Sequence, residues 1–345
     1  MLGFAMDDTH ASAKKGTLSG RSWSGKFNYP DTKSLLNLND RIFSLERFKE
    51  KRWCYMGIIH PDIIFGCAVV HLGYISSAFA FGFDRQEGKM MNHSLVFPPL
   101  GQVRYDRNPE TGICSYKSLR GSLILTHDKK HDKKSIDVSF YLPAKSLKAD
   151  IEIIEPDGGI SPMHFLMPMA NNASAFTTKI AGLNARGKII VNNKKFDLAP
   201  ENTFAVFDWT NGFYPRQTVW NWACCAGLAA DGTRIGFNFS SGVYENGLLE
   251  NTVWINGTPL KQGGILFTYD AKNPEQPWQI KSKDGLIHLT FKPEGIRRAN
   301  DNLGVIKSKF IQPCGSFEGS IKTKDNLDFH LLCVGGVVEE HFAKW

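Results

Sequence analysis

The segment 207–225, FDWTNGFYPRQTVWNWACC, gathers an acid, a guanidinium, amides and indoles, among them Asp208, Arg216, Asn221, Trp220 and Trp222. Indoles stack on apolar or flat ligands, a guanidinium and an amide orient a polar end, and an acid moves a proton. Further along, Asn238 and the stretch ENTVWING add a second amide, Glu250 and Trp254. The chemistry these types support is binding of a hydrophobic small molecule. Arg216, Trp220, Asn221, Trp222, Asn238 and Trp254 are the candidate ligand contacts. Asp208 and Glu250 are the candidate catalytic acids, and either would need a pKa raised by a largely apolar cavity. The same carboxylates beside tryptophans also suit a carbohydrate-active or carbohydrate-binding protein, where they act as a pair. A non-catalytic carrier or scaffold is the third reading, because aromatic stripes fill β-protein cores and arginines stack on tryptophans for structural reasons.

Other chemistries lack their motifs. No G-x-S-x-G, P-loop, dinucleotide fingerprint or H-E-x-x-H occurs. His60, His71, His93 and His164 have no ligand spacing, so neither a metal nor a cofactor is expected. Seven cysteines, an odd number without a C-x-x-C, read for the most part as reduced, buried thiols in a chain far larger than a disulfide scaffold. The net charge of +7 is diffuse, and the densest basic run, HDKKHDKK, alternates with aspartates as a solvated hairpin tip would. Nucleic acid is therefore not an expected partner. No apolar run reaches the ~18–20 residues of a spanning helix, and the start MLGFAMDDTHASAKKG is not a secretory signal. A cytoplasmic location is the expectation. The oligomeric state is open.

The elements that position these residues are strands. Glycines punctuate aromatic and β-branched runs throughout, as in many-stranded β-proteins. Residues 1–40 read as a polar arm, and 38–53 is the most helix-like stretch. The strand-like runs are too many for one small sandwich. They divide into a first half, 41–160, and a second, 161–345, around the Pro and Gly cluster at 156–168. The expectation is an all-β chain of two consecutive antiparallel barrels or sandwiches with few short helices.

Within this frame Asn211-Gly212 predicts a two-residue hairpin turn. Trp209, Tyr214, Arg216, Trp220 and Trp222 then share one face, with Asp208, Asn221 and Ala223 on the other. A bulge at Pro215 would bring Asp208 onto the face of Arg216. Asp231-Gly232 predicts a second hairpin that sets Cys225 opposite Asn238, and Asn256-Gly257 a further turn.

The ordered set KRWCYMGI, LGYISSAFAFGFDR, FDWTNGFYPRQTVWNWA, GFNFSSG, ENTVWING, PCGSFEG and VVEEHFAKW resembles the bacterial family catalogued as domain of unknown function 2804. The resemblance runs from about Gly16 to the end and brings no reaction with it. More distantly, the two-half layout is similar to the tandem lipocalin-like proteins that include carotenoid hydratases. That likeness implies aromatic-lined barrels for hydrophobic substrates and acids that protonate double bonds. No motif residue of those enzymes maps onto this sequence.

Overall fold

The computed structural model describes residues 12–14, 17–19 and 49–344, except 98–102, 107, 129–132, 143–144, 170–173, 244–248 and 303–306. Most of the polar arm, the helix-like residues 38–48 and the tip of the charged hairpin lie outside the described residues. Of the arm, β1 (Ser12–Lys14) and β2 (Thr17–Ser19) form a small hairpin. Glu50–Trp53, which the helical reading included, opens a strand instead.

The first sheet joins two meanders. One is β3 (Glu50–Ile59), β4 (Ile63–His71), β5 (Ser76–Asp84) and β6 (Lys89–Phe97). The other is β7 (Val103–Tyr105), β8 (Thr111–Ser118), β9 (Gly121–Asp128), β10 (Lys133–Leu142) and β11 (Lys145–Ile154). After the short β12 (Met163–Pro168) comes the long β13 (Ser174–Val191), then β14 (Lys194–Leu198) and β15 (Phe204–Phe213). β13 pairs with β11 and β15, and β15 pairs back onto β3, which closes the order β6-β5-β4-β3-β15-β13-β11-β10-β9-β8-β7.

The second sheet repeats this plan. β16 (Gln217–Leu228), β17 (Arg234–Ser241), β18 (Thr252–Ile255) and β19 (Thr258–Lys261) form one arm. β20 (Ile265–Thr268), β21 (Trp278–Ser282), β22 (Ile287–Asn302), β23 (Lys307–Lys322) and β24 (Asp328–Lys344) form the other, and β24 returns to pair with β16. In both sheets the last strand lies beside the first, a duplication of topology without a sequence repeat. All pairing is antiparallel, and each sheet curls into a half-barrel. The chain is thus all-β, with no α-helix among the described residues. It changes sheets at 214–216, so the first sheet reaches well past the compositional break at 156–168.

Two local expectations are corrected here. Asn211-Gly212 is not a turn: it continues β15, where Asn211 lies between Phe176 of β13 and Arg52 of β3. Ladders on both sides hold the dipeptide extended and override its turn propensity. Asp231-Gly232 does lie in a hairpin loop, but the loop is 229–233 and pairs Cys224, not Cys225, with Asn238. A one-residue slip moves every side chain to the other face. Trp220, Trp222 and Cys224 therefore share a face with Asn238 and Ser240. Ala223 and Cys225 join Phe237 and Phe239 in the core of the second half-barrel. Asn256-Gly257 does turn, with φ of 47° and 82°.

The two sheets meet where β13 crosses β17. β13 bulges between Ala181 and Leu183, and Gly182 takes a φ of 112° that side chains rarely adopt. Its carbonyl accepts a 3.0 Å hydrogen bond from Arg234 Nη1. Gly236 of β17 makes the approach possible, because a Cβ there would stand 2.4 Å from the Ala181 carbonyl oxygen. Backbone on both sides cannot yield as a side chain would. Gly236→Ala should therefore lower stability by about 1–3 kcal/mol. An unchanged urea midpoint would mean that the sheets separate freely at this point.

Candidate functional site

A cavity of about 880 Å³ lies between the half-barrels, within the range of small-molecule sites. Its apolar walls include Trp53 and Tyr55 of β3, Phe79 of β5, Trp220 and Trp222 of β16 and Phe310 of β23. Period-two alternation selects these faces: Cys54, between Trp53 and Tyr55, points the other way into the first half-barrel. Ser94, Asn300, Asn302 and Lys307 are exposed at the rim. The other charged groups lie deeper, in two clusters.

The first cluster is built on Lys179, a single cation in the apolar middle of β13. Its Nζ lies 2.9 Å from Asp208 Oδ2 and 2.9 Å from Glu250 Oε1. Lys179 pairs with Asp208 in the β13–β15 ladder, which places their side chains on one face. Trp53 Nε1 and Thr210 Oγ1 each donate to Asp208 Oδ1 at 3.2 Å. Asn238 Nδ2 donates to the Glu250 carbonyl at 3.2 Å, and Trp222 Nε1 donates to Asn238 Oδ1 at 2.7 Å. Burial works against the lysine's charge, but the two carboxylates overcome it and raise its pKa. Burial lifts Asp208 above its ordinary value, with Lys179 opposing. Two carboxylates on one ammonium give a cluster with excess negative charge when both are ionised.

The second cluster centres on Glu339 of β24. Trp220 Nε1 donates to Glu339 Oε1 at 2.8 Å, and Gln312 Nε2 donates to Oε2 at 3.0 Å. Burial pushes the Glu339 carboxyl up to about 7, and these two donors together with Arg297 only partly oppose it. Arg297 itself is buried, 3.9 Å from the centre of the Phe79 ring and 4.7 Å from that of Phe310. Burial, seconded by Arg297, drops His341 to about 3, so its ring is neutral. His341 Nε2 lies 2.8 Å from Ser308 Oγ. Of the groups lining the cavity, Glu339 is the carboxyl poised to hold and release a proton near neutral pH.

The residues singled out from sequence separate into three groups. Asp208, Glu250, Trp220 and Trp222 line the cavity. Asn238 stands behind it and fixes Trp222 and the backbone of Glu250. Arg216, Asn221 and Trp254 lie away from it. Arg216 is exposed where the chain changes sheets, and Pro215 lies between β15 and β16 rather than within a ladder. Asn221 donates to the Tyr269 hydroxyl at 3.1 Å, and Trp254 is buried and donates to the Ser161 carbonyl at 2.8 Å. Sequence reasoning missed Lys179, Glu339, Arg297 and Gln312. For Lys179 the signal was a lone cation in the apolar run AFTTKIAG; for Glu339 it was parity, since Glu339 and His341 share a face that Glu340 does not.

No curated protein matches the chain. Among solved structures, a candidate AttH protein of Nitrosomonas europaea superimposes with a TM-score of 0.50 at 12% identity, over 86% of this chain and 93% of that one. Kievitone hydratase of Nectria haematococca aligns with a TM-score of 0.47 at 13% identity, over 90% of this chain and 94% of that one. At such identities the likeness to the first of these is one of fold alone. The sequence itself matches the family described as domain of unknown function 2804 over residues 14–345, and the chain belongs to that family.

Proposed function

We propose that the protein binds a hydrophobic small molecule in the cavity between its half-barrels and converts it by acid catalysis, with Glu339 as the proton donor. The observation that carries this reading is one buried carboxyl, its pKa pushed up to about 7, in an aromatic cavity of ligand size. Protonation of an unsaturated carbon, or of a leaving hydroxyl, creates positive charge on the ligand. The faces of Trp220 and Trp222 and the carboxylates of Asp208 and Glu250 are placed to stabilise that charge. Asp208 and Glu250, the acids expected from sequence, thus become electrostatic partners, and the donor is a residue that sequence reasoning passed over. A carbohydrate site fits less well, because Trp222 is buried rather than displayed along an open groove.

Ligand uptake tests the cavity first. Native mass spectrometry should find an apolar molecule that co-purifies, or one equivalent of anilinonaphthalene sulfonate taken up by the empty protein. Trp220→Ala should weaken that uptake roughly tenfold, which corresponds to ~1.4 kcal/mol. Binding that the variant leaves unchanged, or no uptake at all, would remove the cavity from consideration as the site.

A further inference from the structure

Behind the wall of the cavity, inside the first half-barrel, lie three soft donor side chains that the site does not use. Cys54 of β3, Cys114 of β8 and His127 of β9 are each fully buried, and one ligand atom from each lies within 4.8 Å of the other two. The two thiols are close enough to share a hydrogen bond. His127 Nε2 lies 2.8 Å from the carbonyl of Asn108, so that nitrogen carries the proton and donates it. Nδ1 is then a bare lone pair, and it is buried without a hydrogen-bond partner. Metal-bound histidines are held in this way: one ring nitrogen donates to a backbone carbonyl, which fixes the tautomer that offers the other to the ion.

We propose that Cys54, Cys114 and His127 form a zinc site. Two cysteines and one histidine are a known zinc ligand set, with a neutral water completing the tetrahedron at the fourth position. On binding, two S–H bonds break and release two protons to solvent, two Zn–S bonds and one Zn–N bond form, and no electrons are transferred. Charge selects the ion. Two thiolates and a neutral imidazole make a neutral complex with a divalent cation. A monovalent copper ion would leave a net negative charge in a fully buried site, which costs free energy.

Topology gives the ion a structural task. β8 and β9 lie near one end of the first sheet, whereas β3 lies in its middle, and no ladder joins them. Side chains make the closure instead, such as the Tyr105 hydroxyl, 2.6 Å from the Trp53 carbonyl and 2.9 Å from that of Thr210. A zinc ion among these residues staples the curled sheet across its interior and stiffens the strand that carries Trp53 and Tyr55 into the cavity. Spacing along the chain gave no sign of this, because three separate strands supply the ligands.

Metal content of the full chain tests the proposal. Protein purified under reducing conditions with zinc in the growth medium should carry one zinc per chain by plasma mass spectrometry. Refolding with Co(II) in place of zinc should produce a thiolate-to-cobalt charge-transfer band. Cys114→Ser and His127→Gln should each weaken zinc binding by roughly a hundredfold or more. Cys67→Ser, which alters a buried thiol outside the cluster, should keep full stoichiometry. Should the ligand variants fail to fold, the wild-type cobalt spectrum and a chelator-induced fall in Tm decide the question. Wild-type protein that takes up neither metal after reduced refolding overturns the proposal, and so does a Cys114→Ser variant that retains its zinc.

Discussion

Lys179→Met should destabilise the fold by about 3–5 kcal/mol at neutral pH, the usual cost of leaving buried charges without their partner. Methionine matches the length of the lysine stem and is apolar, so packing is nearly conserved while the ammonium is lost. Asp208 and Glu250, both buried, are left facing each other with no cation between them. With Lys179 gone, the opposing pull on Asp208 is lost and its pKa in the folded variant must rise further. A carboxyl whose folded pKa is raised binds its proton more tightly in the folded state, so the deficit shrinks as pH falls and widens as it rises. Urea unfolding at pH 5 and pH 8 measures this directly. In an Asp208→Asn, Glu250→Gln background the same substitution should cost far less, because no buried charge remains to be orphaned. An equal loss at both pH values, and in both backgrounds, would mean that Lys179 acts through packing alone.

What the sequence disclosed and what it hid follow from one physical distinction. Alternation, glycine punctuation and the number of strand-like runs are local properties, and they were enough for an all-β chain of two curled antiparallel sheets. Residue type alone placed Asp208, Glu250, Trp220 and Trp222 among the site candidates. Parity is not local, because it depends on loop length and on which strands flank a segment. Asn211-Gly212 has the composition of a turn, yet β13 and β3 on either side hold it extended. The five-residue loop 229–233 shifts β16 against β17 by one position and turns Asn238 toward Trp222, where a two-residue turn would have separated them. Lys179 was hidden for the same reason. Its partners lie 29 and 71 positions further along the chain (208 − 179 and 250 − 179), and only the ladder and the packing of the second sheet bring them together. Arg216 and Asn221 stand near Trp220 and Trp222 in sequence, but neither is among the residues that line the cavity.

Glu339 should make the protein lose stability as pH rises from about 4.5 to 7. Its carboxyl has an ordinary value of 4.5 and is held at about 7 in the folded chain, chiefly by burial. Between these values the folded state holds a proton that the unfolded state has released, so raising the pH favours unfolding. The contribution is complete below 4.5, declines through the interval and is gone above 7. A shift of this size corresponds to about 3 kcal/mol over the range. Glu339→Gln carries no titrating group, so its unfolding free energy should lack that decline. It should approach or exceed the wild-type value at pH 8, less whatever is lost if one amide hydrogen meets the Trp220 or Gln312 donor. Infrared spectra of the wild type should show a protonated carboxyl band that disappears as pH passes about 7 and that the variant lacks. The same ionisation governs proton donation: above pH 7 the acid fraction falls tenfold per unit, and turnover that depends on it must fall with it. Parallel stability curves for wild type and variant would mean that Glu339 titrates in the folded chain as it does in the unfolded one and is ionised at neutral pH. Proton donation in the cavity would then have to come from a group other than Glu339.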